Sequence, residues 1–118
     1  DLVSGSGESA GQVWLNDGTG TLTDSGQLLG SDPTRAIDVA DVDGDGDVDF
    51  VSGNGFSPDT LWTNDGTGVF ADTGHALGPT TTTRDVALGD VDGDGDPDLV
   101  AAMDGAPARV YINQVRSR

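Results

Sequence analysis

An internal repeat of 48 to 49 residues is the feature that most constrains the fold of this chain. The segment Asp41–Asp49, DVDGDGDVD, returns 49 residues later as Asp90–Asp98, DVDGDGDPD. A second pair, Trp14–Gly20 and Trp62–Gly68, is offset by 48 residues. Repeats of this length are typical of proteins in which one supersecondary unit stacks against its neighbours. The repeat divides the chain into two units, residues 1–48 and 49–97, a partial third unit, residues 98–113, and a polar tail, residues 114–118.

Each unit contains short segments that are typical of β-strands. They are rich in β-branched and aromatic residues, and glycine, asparagine and aspartate separate them as turn signals. No window shows the sustained apolar period of a helix, and glycine is too frequent for one. Around the first aspartate-rich segment the four strand candidates are Arg35–Ala40, Phe50–Val51, Thr60–Thr63 and a strand that begins at Val69.

A unit of four short antiparallel strands has the size of a β-propeller blade, which needs neighbouring blades to bury its two faces. The sequence therefore predicts an all-β fold made of β-propeller blades, each a four-stranded antiparallel sheet. About two and a half blades are present, a partial propeller with three strands at each end. Trp14, Trp62 and Tyr111 occupy equivalent positions, so we expect them to pack between successive sheets.

The two aspartate-rich segments predict metal sites. A hard dication such as Ca²⁺ binds six to eight oxygens, and carboxylates at positions 1, 3 and 5 of a tight loop converge on one centre. Glycine at position 6 permits the turn, the residue at position 7 offers its backbone carbonyl, and aspartate at position 9 closes the shell. The sequence predicts two Ca²⁺ sites, one in each loop. Their residues are Asp41, Asp43, Asp45, Asp47 through its carbonyl, and Asp49 in the first loop, and Asp90, Asp92, Asp94, Asp96 and Asp98 in the second.

Other metal loops fit the sequence less well. An EF-hand needs a glutamate at position 12, where this chain has Ser52 and Ala101, and its loop lies between helices. Mg²⁺ prefers a smaller octahedral shell with retained waters. The remaining alternative is a solvated acidic loop without a metal ion.

Composition excludes several functions. Asp and Glu total 21 against 5 Lys and Arg, a formal net charge of -16, so a nucleic-acid partner is not expected. No apolar stretch is long enough to insert into a membrane. His75 is the only histidine and lysine is absent, so the chain lacks a convincing catalytic set and we expect no enzyme activity.

The quoted segments resemble a known family. Val86–Val100 and Leu61–Phe70 are similar to the FG-GAP/VCBS repeat of integrin α-subunit propellers and of many bacterial extracellular proteins, and the resemblance extends from Asp1 to Asn113. The resemblance implies a propeller blade with Ca²⁺ held in the hairpin between its first and second strands. It also implies an extracellular location, secreted or at the cell surface.

We therefore expect a non-catalytic calcium-binding propeller segment that serves as an interaction or adhesion scaffold for a protein or carbohydrate ligand. One alternative is a carbohydrate-binding or accessory module of an extracellular polysaccharide-active enzyme, in which exposed faces of Trp14 or Trp62 stack on sugars. Another is an excised propeller fragment that self-assembles as a homo-oligomeric ring, or that completes its ring with further blades of a parent chain.

Overall fold

The computed structural model describes residues 1–7, 10–30, 33–80 and 82–114, and these residues contain no helix. The all-β prediction is therefore confirmed. Of the predicted polar tail, residues 115–118 lie outside the described residues. The ten strands are β1 (Leu2–Ser4), β2 (Gly11–Asn16), β3 (Leu22–Leu29), β4 (Thr34–Ala40), β5 (Asp49–Asn54), β6 (Asp59–Asn64), β7 (Phe70–Leu77), β8 (Thr83–Gly89), β9 (Asp98–Met103) and β10 (Arg109–Tyr111).

The strands form three antiparallel sheets of three, four and three strands. Sheet 1 has the order β1-β2-β3, sheet 2 the order β4-β5-β6-β7, and sheet 3 the order β10-β9-β8. This agrees with the prediction of a complete four-stranded blade between two incomplete blades of three strands each. Three successive sheets of a partial propeller are thus present.

Sheets 1 and 2 enclose the first of two apolar clusters. Val13 and Leu29 of sheet 1 pack with Phe50 and Trp62 of sheet 2. The rings of Phe50 and Trp62 stack with centroids 5.8 Å apart, and Phe70 meets Phe50 edge-on at 4.9 Å. Aromatic pairs in these arrangements stabilise a core beyond the area that they bury.

Sheets 2 and 3 enclose the second cluster, formed by Val51, Val86, Leu99 and Ala101. Successive side chains of a strand point to opposite faces. Phe50 and Val51, both 1% exposed, therefore pack into different clusters from one strand. This explains how a sequence with few apolar residues can form two cores.

The equivalent aromatic residues do not share one environment. Trp62 is buried in the first cluster and Tyr111 packs against the second, as predicted. The prediction for Trp14 is wrong, because Trp14 is half-buried and lies outside both clusters. It follows Val13 in β2, so it points to the face of sheet 1 opposite the one that packs on sheet 2.

A cleft of about 480 Å³ lies between sheets 2 and 3, lined in part by Thr63, His75 and Tyr111. The equivalent region between sheets 1 and 2 is closed by the start of β7. There the Gln27 Nε2–H donates to the Gly68 carbonyl at 2.7 Å, and the Phe70 N–H donates to Gln27 Oε1 at 3.0 Å. The described part of sheet 3 contains three strands, and Tyr111 of β10 lines the cleft.

Candidate metal centres

Each aspartate loop connects the first two strands of a sheet. The first loop, residues 41–48, joins β4 to β5, and the second, residues 90–97, joins β8 to β9. The glycines at positions 4 and 6 of the two loops have φ between 77° and 91°. Only glycine adopts this backbone readily, so both glycines of the Asp-Gly-Asp-Gly sequence are required by the turn. These residues are Gly44, Gly46, Gly93 and Gly95.

The aspartate at position 1 organises the turn through backbone hydrogen bonds. The carboxylate of Asp41 accepts from the Gly44 and Gly46 N–H groups, both at 2.9 Å. Burial alone would raise the pKa of Asp41, but these hydrogen bonds outweigh it and the pKa is lowered. Asp90 accepts the equivalent bonds at 2.8 Å, and its pKa is lowered chiefly by the Gly95 N–H. Both position-1 carboxylates are thus held in the charged form.

The aspartate at position 9 closes each loop from inside the sheet. Asp49 is fully buried and accepts from the Val42 N–H at 3.0 Å and from the Asn64 N–H at 2.9 Å. Asp98 accepts the equivalent bonds from Val91 at 2.9 Å and Asn113 at 2.8 Å. Burial raises the pKa of Asp49 despite these two donors.

Four carboxylates converge in each loop. One oxygen from each member of a group lies within 4.8 Å of one oxygen from every other member. The side chains of Asp47 and Asp96 are outside the groups, and Asp47 lies against Gly66 in the turn before β7. Asp47 and Asp96 are predicted to bind the ion through their backbone carbonyls, and this role stays a prediction. The groups are Asp41, Asp43, Asp45 and Asp49 in the first loop, and Asp90, Asp92, Asp94 and Asp98 in the second.

The donor set fits a hard divalent cation. All of the gathered ligand atoms are carboxylate oxygens, the type that Ca²⁺ prefers. Gathering them has an electrostatic cost, since burial together with the neighbouring Asp45 and Asp49 raises the pKa of Asp43 to about 6. Burial and the neighbouring Asp94 and Asp98 raise the pKa of Asp92 as well. A bound dication would offset this repulsion.

A protein-family model described as FG-GAP-like repeat matches residues 1–52 and residues 41–101. The chain belongs to the FG-GAP-like repeat family. Both matches contain the first aspartate loop, and the second match contains both loops. The suspected family is thus confirmed, and FG-GAP-like repeats are commonly found in extracellular proteins and typically act as non-catalytic structural modules. A search of curated proteins found no match.

The described residues of this FG-GAP-like chain include no helix that is long and apolar enough to cross a membrane. Arg84 Nη2 and Asp104 Oδ2 form an ion pair at 2.8 Å, and neither residue belongs to an aspartate loop. His75 is exposed and lines the cleft between sheets 2 and 3.

The sequence analysis missed a second role of Asn64, the last residue of β6. Asparagine is a turn signal in the sequence, and the Oδ1 of Asn64 does accept from the Gly66 and Gly68 N–H groups. It also donates its backbone N–H to Asp49 and its Nδ2–H to the Val48 carbonyl at 3.1 Å, both in the first loop. The recurrence of this asparagine at position 113, 49 residues later, was the available signal.

Proposed function

We propose that this chain is a non-catalytic, calcium-binding segment of an extracellular β-propeller that serves as an interaction or adhesion scaffold. The observation that carries the proposal is the convergence of four carboxylates at equivalent positions in each of two loops. The all-oxygen donor set and the family to which the chain belongs both support calcium as the ion.

The carboxylates of each group would hold the ion, with the carbonyls of Asp47 and Asp96 as further ligands. Asp49 and Asp98 begin the second strand of their sheets, so an ion held there would tie the loop to a buried strand. Free Ca²⁺ at about 100 times the dissociation constant would stabilise the fold by about 2.7 kcal/mol per site.

The chemistry of calcium binding supports an extracellular setting. Calcium sites of extracellular modules have dissociation constants of about 10⁻⁴ to 10⁻³ M, so millimolar calcium occupies half or more of such sites. The resting cytosol contains far too little calcium to do so.

The test is a thermal melt in EDTA and in millimolar Ca²⁺, combined with calorimetric titration. We expect calcium to raise the melting temperature by several degrees and to bind at two sites, with Mg²⁺ giving a smaller effect. The matched control carries Asp41→Asn, Asp45→Asn, Asp90→Asn and Asp94→Asn and should show no calcium response. Equal melting temperatures in EDTA and calcium would contradict the proposal.

Trp14 favours a second candidate function, carbohydrate binding on the face of sheet 1 that points away from sheet 2. Trp14 is half-buried and lies outside both apolar clusters, whereas the buried Trp62 offers no such platform. Oligosaccharide titration followed by tryptophan fluorescence tests this function, with Trp14→Ala as control. No fluorescence change with any tested sugar would remove it.

A further inference from the structure

The side chain of Asn113 spans two aspartate loops. Its Nδ2–H donates to the Val42 carbonyl at 2.7 Å, which lies in the first loop, and to the Pro97 carbonyl at 3.0 Å in the second. Its backbone N–H donates to Asp98 Oδ1 at 2.8 Å. Asn113 thus contacts a predicted ligand of the second loop and the peptide group between two predicted ligands of the first, Asp41 and Asp43.

Burial differs between the loops at the place where Asn113 makes this contact. Val42 is 7% exposed, whereas Val91, the equivalent residue of the second loop, is 54% exposed. Residues Ile112, Asn113 and Gln114 line the same cleft as Val42 and Asp43. The segment after β10 therefore lies against Val42 of the first loop, whereas Val91 of the second loop stays exposed.

The equivalent residue of sheet 2 lacks this second connection. Asn64 Nδ2 donates to Val48, and its backbone N–H donates to Asp49, so both bonds reach the first loop only. The two asparagines donate equivalent bonds to their own loop, and Asn113 donates one more bond to a second loop. This makes Asn64 an internal control for Asn113.

Ordering of one loop should favour the other through this contact. An ion held by Asp98 would fix the carboxylate that accepts from the Asn113 N–H. Asn113, held in this way, would in turn fix the Val42 carbonyl through its Nδ2–H. A loop that is already ordered loses less conformational freedom when it binds its ion, which raises its affinity. Coupling between two sites is reciprocal, so occupation of the first loop raises the affinity of the second by the same factor.

We propose that Asn113 is a positioning residue that couples calcium binding at the two aspartate loops, so that the two sites bind with positive cooperativity. This inference rests on the proposed function, because it requires both loops to bind calcium. The expected coupling is about fivefold in affinity, the factor that corresponds to one net hydrogen bond.

The experiment follows each site separately in a Ca²⁺ titration by NMR, using the amide resonances of Gly46 and Gly95. Asp90→Asn with Asp94→Asn leaves only the first site, and Asp41→Asn with Asp45→Asn leaves only the second. We expect each isolated site to bind about fivefold more weakly than it does when the other site is occupied. With Asn113→Ala, each site should bind calcium with the same affinity whether or not the other site is occupied. With Asn64→Ala, the first site should bind calcium more weakly, and the difference of about fivefold in affinity should remain.

The outcomes separate the two proposals. If neither site binds calcium, the proposed function and the coupling both fail. If both sites bind and each affinity is independent of the other site, the coupling alone is overturned. Persistence of the coupling in folded Asn113→Ala would overturn the role of Asn113, and the comparison of the single-site variants decides the coupling even if that variant does not fold.

Discussion

At the scale of single residues, Asp59 is a buried carboxylate outside the aspartate loops. It is 1% exposed and accepts from the Asn54 N–H at 3.0 Å and from the Thr83 hydroxyl at 2.7 Å. Burial raises its pKa, and the hydrogen bonds from Thr83 and Asn54 only partly oppose this. Because Thr83 belongs to β8, this carboxylate links sheet 2 to sheet 3.

Asp59→Asn should make the chain at least as stable as the parent at pH 7. Because the pKa is raised in the folded state, protonated Asp59 contributes to the free energy of unfolding. This contribution is complete below about pH 3.8 and is lost as the pH rises through the pKa of the folded state. The asparagine keeps an oxygen for both donors and has no charge to desolvate. Urea unfolding in EDTA between pH 7 and pH 4 should show its advantage decreasing as the pH falls.

Thr83→Val is the control for this pair, because it removes the donor and leaves the buried carboxylate. It should cost about 1–3 kcal/mol at pH 7. An Asp59→Asn variant that is clearly less stable than the parent at pH 7 would contradict this account of Asp59.

At the scale of strands and sheets, close approach between sheets 2 and 3 depends on Gly53 in β5. A Cβ at Gly53 would lie 2.8 Å from Thr83 Cγ2 and 3.1 Å from Val86 Cγ1. Gly5 has the same relation to Thr34 across sheets 1 and 2, with Cγ2 at 2.7 Å. The repeat therefore places a glycine at each sheet interface. The glycine leaves room for β-branched side chains from the first strand of the next sheet.

Gly53→Ala should destabilise the fold by about 1–3 kcal/mol, since the added methyl overpacks a buried interface. Gly89→Ala is the matched control, because it is also a strand glycine with ordinary φ but has no atom within 4 Å of its added Cβ. That variant should be close to neutral in urea unfolding. Equal stability of the two variants would show that the interface can relax around the methyl.

The prediction of strands succeeded where local patterns decide, and it failed for the surroundings of Trp14. Alternation and turn residues located β4 to β7 to within a few residues, because both signals are local. The strand ends extend further than predicted, as in β5, where Asp49 is the first residue and pairs with Ala40. Whether a given face is covered depends on a neighbouring sheet, which alternation does not reveal.

At the scale of the whole molecule, charge is the dominant feature. The chain carries a formal net charge of -16, and two loops gather eight carboxylates in two small volumes. Without a dication this distribution opposes the compact state through self-repulsion. Two adjacent sheet interfaces supply the opposing apolar burial.

In EDTA, raising NaCl from about 10 mM to about 150 mM should increase the melting temperature by several degrees, because the Debye length shortens from about 30 Å to about 8 Å. In saturating calcium the increase should be smaller, since the loop charges are then neutralised. The variant with four loop aspartates changed to asparagine should also respond less. A salt response of equal size in all three samples would place the repulsion outside the loops.

The sequence by itself determined the two aspartate loops and the three sheets. Their signals are carboxylate spacing, glycine position and strand alternation, which act over a few residues and recur along the chain. The tertiary structure decided that Val42 is covered while Val91 is exposed, and that Asn113 lies within hydrogen-bond distance of a loop 71 residues earlier. Those contacts depend on how one sheet packs against the next, which no short segment of the chain encodes.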